Sequence, residues 1–395
     1  MSQRLRVLLL NERCTSHPRA GGAETHLVQI FSRLTDELDV EWLCSGFERA
    51  PASSECRGLR VTRIGGLFSY YAHLPSQVRR RVASGSVDIV VEAFNKIPFL
   101  TPIYARPVPR LVIHHHLHGW TAFRQVAPPI ALASRLLEAM IPWVYGGVQV
   151  LAISDSGRSD LIRRGLPEDH VEVVPCGIDH VLHRPAPTAG RRHLLLAVGR
   201  LEPYKRLDLL VRAMPAIVGE FADVQLVIVG SGQERERLVR LTNRLNMTHW
   251  VSILGMVPDA TKVALMQQAA LLVQCSSKEG WGLTVFEAYA CGTPVVASHV
   301  PGLRDSVQDG ITGHLVHRTS AKTLAHAIVR LLEDDAGRAE MGRRALIWSH
   351  TFTWDRTAQA VLRAIVATVR GPARPSLARL PLSRSPAPAA PAARV

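Results

Sequence analysis

Twelve short apolar runs recur along this chain, at spacings that leave room for a helix between one and the next. A run that is apolar throughout, rather than at every second position, suits a strand covered on both faces. Such strands belong to parallel sheets flanked by helices. Six runs fall at 6–10, 40–44, 87–91, 110–113, 148–153 and 171–174. Six more fall at 194–198, 225–229, 251–254, 271–274, 294–297 and 312–315. Between the two sets, Pro175-Cys176-Gly177-Ile178-Asp179 and the Pro-containing, charged stretch 183–192 read as a linker. The pattern predicts an α/β protein with two doubly wound parallel-sheet domains facing across a cleft. A chain of 395 residues is too long for one ordinary core and fits the same division. The expected units are 1–183, 184–351, a helix at 352–370, and a disordered Pro/Ala/Arg-rich tail at 371–395.

Helices are expected where apolar residues return every three or four positions. One starts near Ala23, after Gly21-Gly22, with Leu27, Ile30, Phe31 and Leu34 on one face. Others are expected at 134–145 and at 156–164, the latter with Ser154 and Asp155 as candidate caps. Ligands of such folds lie at the carboxyl ends of the strands. The loops expected to line the crevice are 11–22, 92–98, 114–120 and 154–157, with 199–206, 230–234, 255–259 and 275–284 opposite.

The formal net charge is +14, of which four arginines in the last twenty-five residues supply +4. The remainder favours anionic partners: nucleotides, nucleic acid or an acidic membrane. Aromatics are only 6% and no basic stripe carries them, so nucleic acid is disfavoured. Six scattered cysteines without a CxxC pair point to reduced thiols rather than a disulfide or zinc framework. The apolar run 7–10 is too short for a signal peptide, and no run is long enough to span a membrane. A soluble, cytoplasmic protein is expected.

The chemistry concentrates in KEGWGLTVFEAYACGTPVVASHVP, residues 278–301. Gly280-Trp281-Gly282 makes a turn that opens a short helix at Leu283, and a helix N-terminus behind a glycine turn is an anion site. Glu279 precedes the turn and Glu287 lies one helical turn beyond Leu283. A helix-borne acid such as Glu287 can accept both hydroxyls of a ribose, and Glu279 can bind sugar hydroxyls. In Gly199-Arg200-Leu201-Glu202-Pro203-Tyr204-Lys205, Arg200 and Lys205 can converge on one diphosphate and neutralise its charge as it leaves. A solvated basic loop is the competing account of that motif. Gly230-Ser231-Gly232 and Gly21-Gly22 read as tight turns that also admit a close backbone approach. His114, His115, His116 and His118 follow the strand 110–113, where a crevice residue would sit. A metal site is the rival reading there. Adjacent strand residues point to opposite faces and no acid lies nearby, so no metal ligand is assigned.

Taken in order, GGAE at 21–24, VPCGID at 174–179, VGRLEPYK at 198–205, IVGSGQERERL at 228–238 and EGWGLTVFEAYACGTPVVAS at 279–298 resemble the retaining glycosyltransferases of family 4. The likeness runs to about residue 370 and implies the GT-B fold of two Rossmann-like domains, the first binding the acceptor and the second a nucleotide-sugar. It implies that Glu287 holds the ribose and Glu279 contacts the transferred sugar. Arg200 and Lys205 would hold the diphosphate with amides near Gly282, Leu283 and Thr284, and Gly22 would approach it from the first domain. Gly230, Gly255 and Met256 would border the nucleotide, whose base (uridine, guanosine or adenosine) the sequence does not decode. The family's active-site histidine stands six residues after a proline, which from Pro109 gives His115, with His116 and His118 as rivals. Cys176 in place of an Asn and Trp281 in place of a Phe depart from the family pattern at positions that supply no charge. The last helix would return to the first domain.

The implied reaction moves a sugar from a UDP- or GDP-sugar to a hydroxyl acceptor with retention, the departing phosphate taking the acceptor's proton. The nucleotide-sugar is a co-substrate. No cofactor is obligatory, and magnesium is not implied. The acceptor would be a glycan, a lipid-linked molecule or a small hydroxyl compound, placing the enzyme in polysaccharide or glycolipid synthesis. Arg79-Arg80-Arg81 and the apolar stretch 132–143 make an anionic membrane surface, on the inner face of the cell membrane, a further candidate partner. A solvated face and an ordinary core helix explain the same residues. The alternatives in function are a GT-B epimerase of sugar nucleotides, against which the Glu279/Glu287 spacing argues, and a binding protein without catalysis. A dehydrogenase is disfavoured because no GxGxxG follows the first strand.

Overall fold

A computed structural model describes residues 4–67, 69–117, 119, 123, 127–186 and 192–371. His118 and residues 372–395, the bulk of the predicted tail, lie outside them.

Two sheets organise the chain. The first is built from β1 (Leu5–Leu10), β2 (Leu38–Ser45), β3 (Ser53–Cys56), β4 (Leu59–Ile64), β5 (Ile89–Lys96), β6 (Arg110–Leu117), β7 (Gln149–Ala152) and β8 (Val171–Val173). Their spatial order is β3-β4-β2-β1-β5-β6-β7-β8. The second comprises β9 (Arg192–Val198), β10 (Gln225–Val229), β11 (Val251–Gly255), β12 (Ala269–Gln274), β13 (Val295–Ser298) and β14 (Gly313–Val316), in the order β11-β10-β9-β12-β13-β14. Winding reverses between β1 and β5 in one sheet and between β9 and β12 in the other. The loops after those four strands therefore open into the crevices where such folds bind ligands.

All pairings are parallel except β3 with β4. That hairpin escapes a search for apolar runs because β3 buries none of its residues deeply and β4 interrupts its apolar residues with Arg60, Thr62 and Arg63. Its turn, Arg57-Gly58, has both residues at positive φ, the two-residue geometry that matches strand twist. The expected helix 134–145 is two helices, Pro128–Ala139 and Ile141–Tyr145. Pro142 has no N–H to return to residue 138, so the first helix ends before it. Ser154 caps Asp155–Arg163 by accepting from the Gly157 amide at 3.1 Å.

The last helix, Trp354–Arg370, crosses back to the first sheet. Val361, Ala364 and Ile365 join Leu9, Ile30, Phe31, Trp42 and Ile113 in one core cluster. Trp354 and Phe352 still belong to the core of the second sheet, with Trp281 and Phe286. Beside this crossing runs the outgoing one, where Ile178 bridges Thr353 in parallel. A Cβ on Gly177 would overlap the backbone of Trp354, so the two crossings pack at a distance only glycine permits. Among the described residues no helix is long and apolar enough to cross a membrane.

Candidate active site

The loops after β9, β10 and β11 are laced together by their backbones. Gly199 N donates to Val229 O at 3.0 Å, Leu201 N to Ser231 O at 2.8 Å, and Gly230 N to Gly255 O at 2.8 Å. Gly230 sits at φ +137, and a Cβ there would overlap Gly199 O. Met256, beyond Gly255, is exposed.

From this platform Arg200 and Lys205 enter the crevice. Arg200 donates to Tyr204 Oη at 3.0 Å, and its Nε comes within 3.8 Å of where a Cβ on Gly21 would be. Lys205 is partly buried and ion-paired with Glu279, which also accepts from Ser276 Oγ at 2.8 Å. Burial pulls the Lys205 pKa down, but the Glu279 carboxylate more than reverses this, so the ammonium stays charged. The two residues to which the resemblance gives separate tasks are partners here.

Gly282 adopts φ +91 at the head of helix Leu283–Ala290. Gln274 Nε2, at the end of β12, holds Thr284 Oγ1 at 2.7 Å. On this helix Glu287 points one carboxylate oxygen at Lys262 Nζ, 3.2 Å away, and at His183 Nε2, 3.8 Å away. Its other oxygen is buried with no hydrogen-bond partner. An acceptor atom left unpartnered beside a cation is a place for a ligand hydroxyl. Burial lowers the Lys262 pKa and the neighbouring Glu287 and Asp259 raise it, the net shift being upward. Sequence reasoning found Glu287 but neither of its neighbours. Lys262 carried only an i,i+3 pairing with Asp259, and His183 sat unremarked in the linker.

The first lobe contributes Gly22, where a Cβ would sit 3.2 Å from Leu283 Cδ1. Gly21 N is held by Glu24 Oε2 at 2.7 Å, and Asn11 and Asn95 donate to Glu24 Oε1 at 3.1 and 3.3 Å. Glu24 thus gathers the ends of β1 and β5 at the start of helix Gly22–Phe31. The motif GGAE contained Glu24, but nothing in it announced the two asparagines.

Of the histidines, His114 is buried against Phe94 and His116 is partly exposed. His115 is buried and bonds through Nε2 to Nδ1 of His26 at 3.0 Å. Its carbonyl lies 2.8 Å from where a Cβ on Gly280 would be, so the end of β6 abuts the turn after Glu279. Further bonds join the lobes. Ser156 donates through N and Oγ to Asp305 at 3.1 and 2.9 Å, Arg304 Nε donates to Ser156 Oγ at 3.0 Å, and Lys278 donates to Leu117 O.

Of the two residues that depart from the family pattern, Cys176 is buried and Trp281 stacks on Phe286 at 5.0 Å. The arginine triplet is not a uniform patch. Arg81 is largely buried against Glu41 at 2.7 Å, and only Arg79 and Arg80 are exposed.

Residues 20–182 match the family model described as Glycosyltransferase Family 4, and residues 181–348 match Glycosyl transferases group 1. The D-inositol 3-phosphate glycosyltransferase of Acidothermus cellulolyticus is 37% identical over 216 residues, 50% of this chain and 48% of that protein. The phosphatidyl-myo-inositol mannosyltransferase of Mycolicibacterium smegmatis is 36% identical over 230 residues, 54% of this chain and 56% of that protein. The chain spans about half the length of the curated relatives it matches. Among solved structures, sucrose-phosphate synthase of Thermosynechococcus elongatus superposes with TM-score 0.79 at 22% identity, covering 92% of this chain and 98% of that one. Anabaena HepE in complex with UDP and glucose gives 0.74 at 19%, covering 92% and 100%.

Proposed function

We propose that this chain, which belongs to the family 4 and group 1 glycosyltransferases and has their GT-B fold, transfers a sugar from a nucleoside-diphosphate sugar to a hydroxyl acceptor with retention of configuration. The observation that carries this reading is Glu287. One of its oxygens is anchored by Lys262 and the other is buried and unpartnered, on a helix whose first residue, Leu283, meets Gly22 of the first lobe.

In this reading the ribose hydroxyls donate to Glu287, and the diphosphate meets Arg200, Lys205 and the amides at Leu283 and Thr284. As the bond from the anomeric carbon to the phosphate oxygen breaks, its electron pair passes to the phosphate. The two cations and the helix N-terminus stabilise that charge. The acceptor oxygen forms the new bond on the same face, and its proton goes to the departing phosphate. Glu279 binds the sugar from its place beside Lys205, and His115 borders the same turn. Arg200 and Lys205 supply the electrostatics a metal would otherwise provide, so no metal is assigned an obligatory role.

The Anabaena structure holds UDP and glucose, which makes uridine the first base to test. Two relatives are named for inositol that bears a phosphate, free in one and lipid-linked in the other. A polyol of that kind is the acceptor class to try first. Calorimetry and thermal shift with UDP-, GDP- and ADP-sugars should show one nucleotide series stabilising the native chain. Glu287→Ala should weaken that series by about tenfold or more, as loss of a charged hydrogen-bond partner predicts. Absence of binding at millimolar nucleotide-sugar would overturn the reading.

A lipid-borne acceptor is favoured by a separate observation. Helices Pro128–Ala139 and Ile141–Tyr145 expose Leu132, Leu136 (62%) and Trp143 (81%), with Ile103 also exposed on the adjoining helix Thr101–Tyr104. Between residues 93 and 154 the only acid is Glu138, against five bases, and Glu138 is buried between Arg135 and Arg164. An apolar face with a tryptophan and no exposed acid suits the anionic cytoplasmic leaflet. The chain should sediment with phosphatidylglycerol vesicles and not with phosphatidylcholine ones, and Trp143→Ser should reduce the bound fraction. Equal binding of native chain and variant would exclude this face.

A further inference from the structure

We propose that His26 is a positioning residue that fixes the tautomer of His115, keeping a proton on His115 Nδ1 for the bound donor substrate. The inference rests on the reading of this crevice as a transferase site.

His26 stands on helix Gly22–Phe31, one turn beyond Gly22, so the element that presents the glycine to Leu283 also delivers this ring to β6. The two rings meet edge to face, with centroids 5.0 Å apart and planes at 90°, which aligns His26 Nδ1 with His115 Nε2 at 3.0 Å. Both side chains are almost wholly buried. Burial pushes the His26 pKa down to about 3. Burial also drives His115 well below its usual value, with His26, His116 and His114 adding to the effect. Both rings are therefore neutral at physiological pH, and a single proton lies between the facing nitrogens.

That shared proton couples the outer nitrogens. If His26 owns it, His115 Nε2 accepts, His115 carries its own hydrogen on Nδ1, and His26 Nε2 is bare. If His115 owns it, His115 Nδ1 is bare and the outer N–H belongs to His26. The outer nitrogens, His115 Nδ1 and His26 Nε2, are both buried without a hydrogen-bond partner. The choice is decided by which orphan can later be satisfied, because a buried N–H without an acceptor is the rarer and costlier defect.

His26 also packs against Trp354, ring centroids 5.8 Å apart, where the last helix crosses back. The indole ring carries a donor only and offers no lone pair to an N–H. The backbone of His115 instead meets Gly280, the residue that follows the Lys205-paired Glu279, and in the proposed reading an oxygen-rich diphosphate sugar arrives at that turn. The first arrangement leaves the bare nitrogen on the ring packed against Trp354 and puts the N–H on the ring whose residue meets the Gly280 turn. In the second, an N–H would be stranded beside Trp354. A neighbour that sets which ring nitrogen is protonated is a familiar device for histidines in active sites.

Long-range ¹H–¹⁵N spectra of the native protein labelled at histidine read the tautomer directly, with the His115 signals assigned by their loss in His115→Asn. The expected pattern for His115 is a protonated Nδ1 and a bare Nε2. The reverse pattern overturns the proposal. In kinetics, His26→Phe should lower kcat on the order of 100-fold, the scale of a mis-set imidazole, and leave the donor KM within about threefold. His26→Asn, whose amide can replace the Nδ1–H donor, should recover most of the loss. A normal kcat in His26→Phe beside a dead His115→Ala would also overturn it. If His115→Ala proves fully active, the catalytic reading of the crevice fails instead, while the spectrum still decides the tautomer. Should His26→Phe not fold, the spectrum of the native chain is sufficient.

Discussion

Buried charge and buried imidazole give individual residues their consequences here. Lys205 and Glu279 each lose water in the crevice, and each is tolerated because the other is present. For His26, His114 and His115 burial outweighs any neighbouring charge, the attraction of Asp160 for His114 included, so they remain neutral in the folded chain. Their folded pKa values lie below the unfolded value near 6.5, so the unfolded chain binds more protons in that window. Their contribution to stability is complete above about pH 6.5 and is lost as the pH falls, at about 1.4 kcal/mol per pH unit for each ring. Glu24 and Glu92, whose pKa values burial raises, act in the opposite sense as the pH climbs. The melting temperature should therefore fall between pH 7 and pH 5, and His26→Phe should show a smaller fall measured from its own pH 7 value. An identical fall in both proteins would mean that His26 titrates normally. Arg200, Lys205, Glu279, Glu287 and the histidine run were legible because each belongs to a contiguous motif. Lys262, His183, Asn11, Asn95 and His26 were not, because their meaning comes from contacts with segments distant in sequence.

Glycine and proline decide most of what happens at the scale of elements. Strands that are apolar throughout announced themselves, and helix Leu283–Ala290 was readable to the residue because a glycine turn starts it. The β3–β4 hairpin was not, since an edge strand need not be apolar, and the split at Pro142 was overlooked within an apolar stretch. Gly230 was read as a tight turn bordering the nucleotide, but not as a backbone folded against Gly199 in a region L-residues rarely enter. Gly230→Ala combines that strain with a steric overlap and should cost about 2–4 kcal/mol. Gly219, on helix Leu207–Glu220, has open space around it. Gly219→Ala should therefore be neutral or stabilising by up to about 1 kcal/mol. Denaturant melts of the pair test the contrast, and equal costs would show that the Gly230 backbone relaxes freely.

For the whole molecule, two α/β lobes and a returning last helix were readable from the order of apolar runs and from the family likeness. Which atoms meet across the crevice was not, because Ser156 with Asp305, Lys278 with Leu117 and Gly22 with Leu283 depend on how two surfaces dock. The returning helix has a further consequence, in time rather than space. Ala358, Ala360, Val361, Ala364 and Ile365 of that helix complete a core whose other members lie between residues 7 and 174. The half of the molecule that leaves the ribosome first is therefore the half that finishes last. It must wait while nearly two hundred further residues are made, roughly 10–40 s at ordinary rates of synthesis. Through that interval one apolar flank of the first sheet stands uncovered, a surface on which a chaperone can sit until the final helix displaces it.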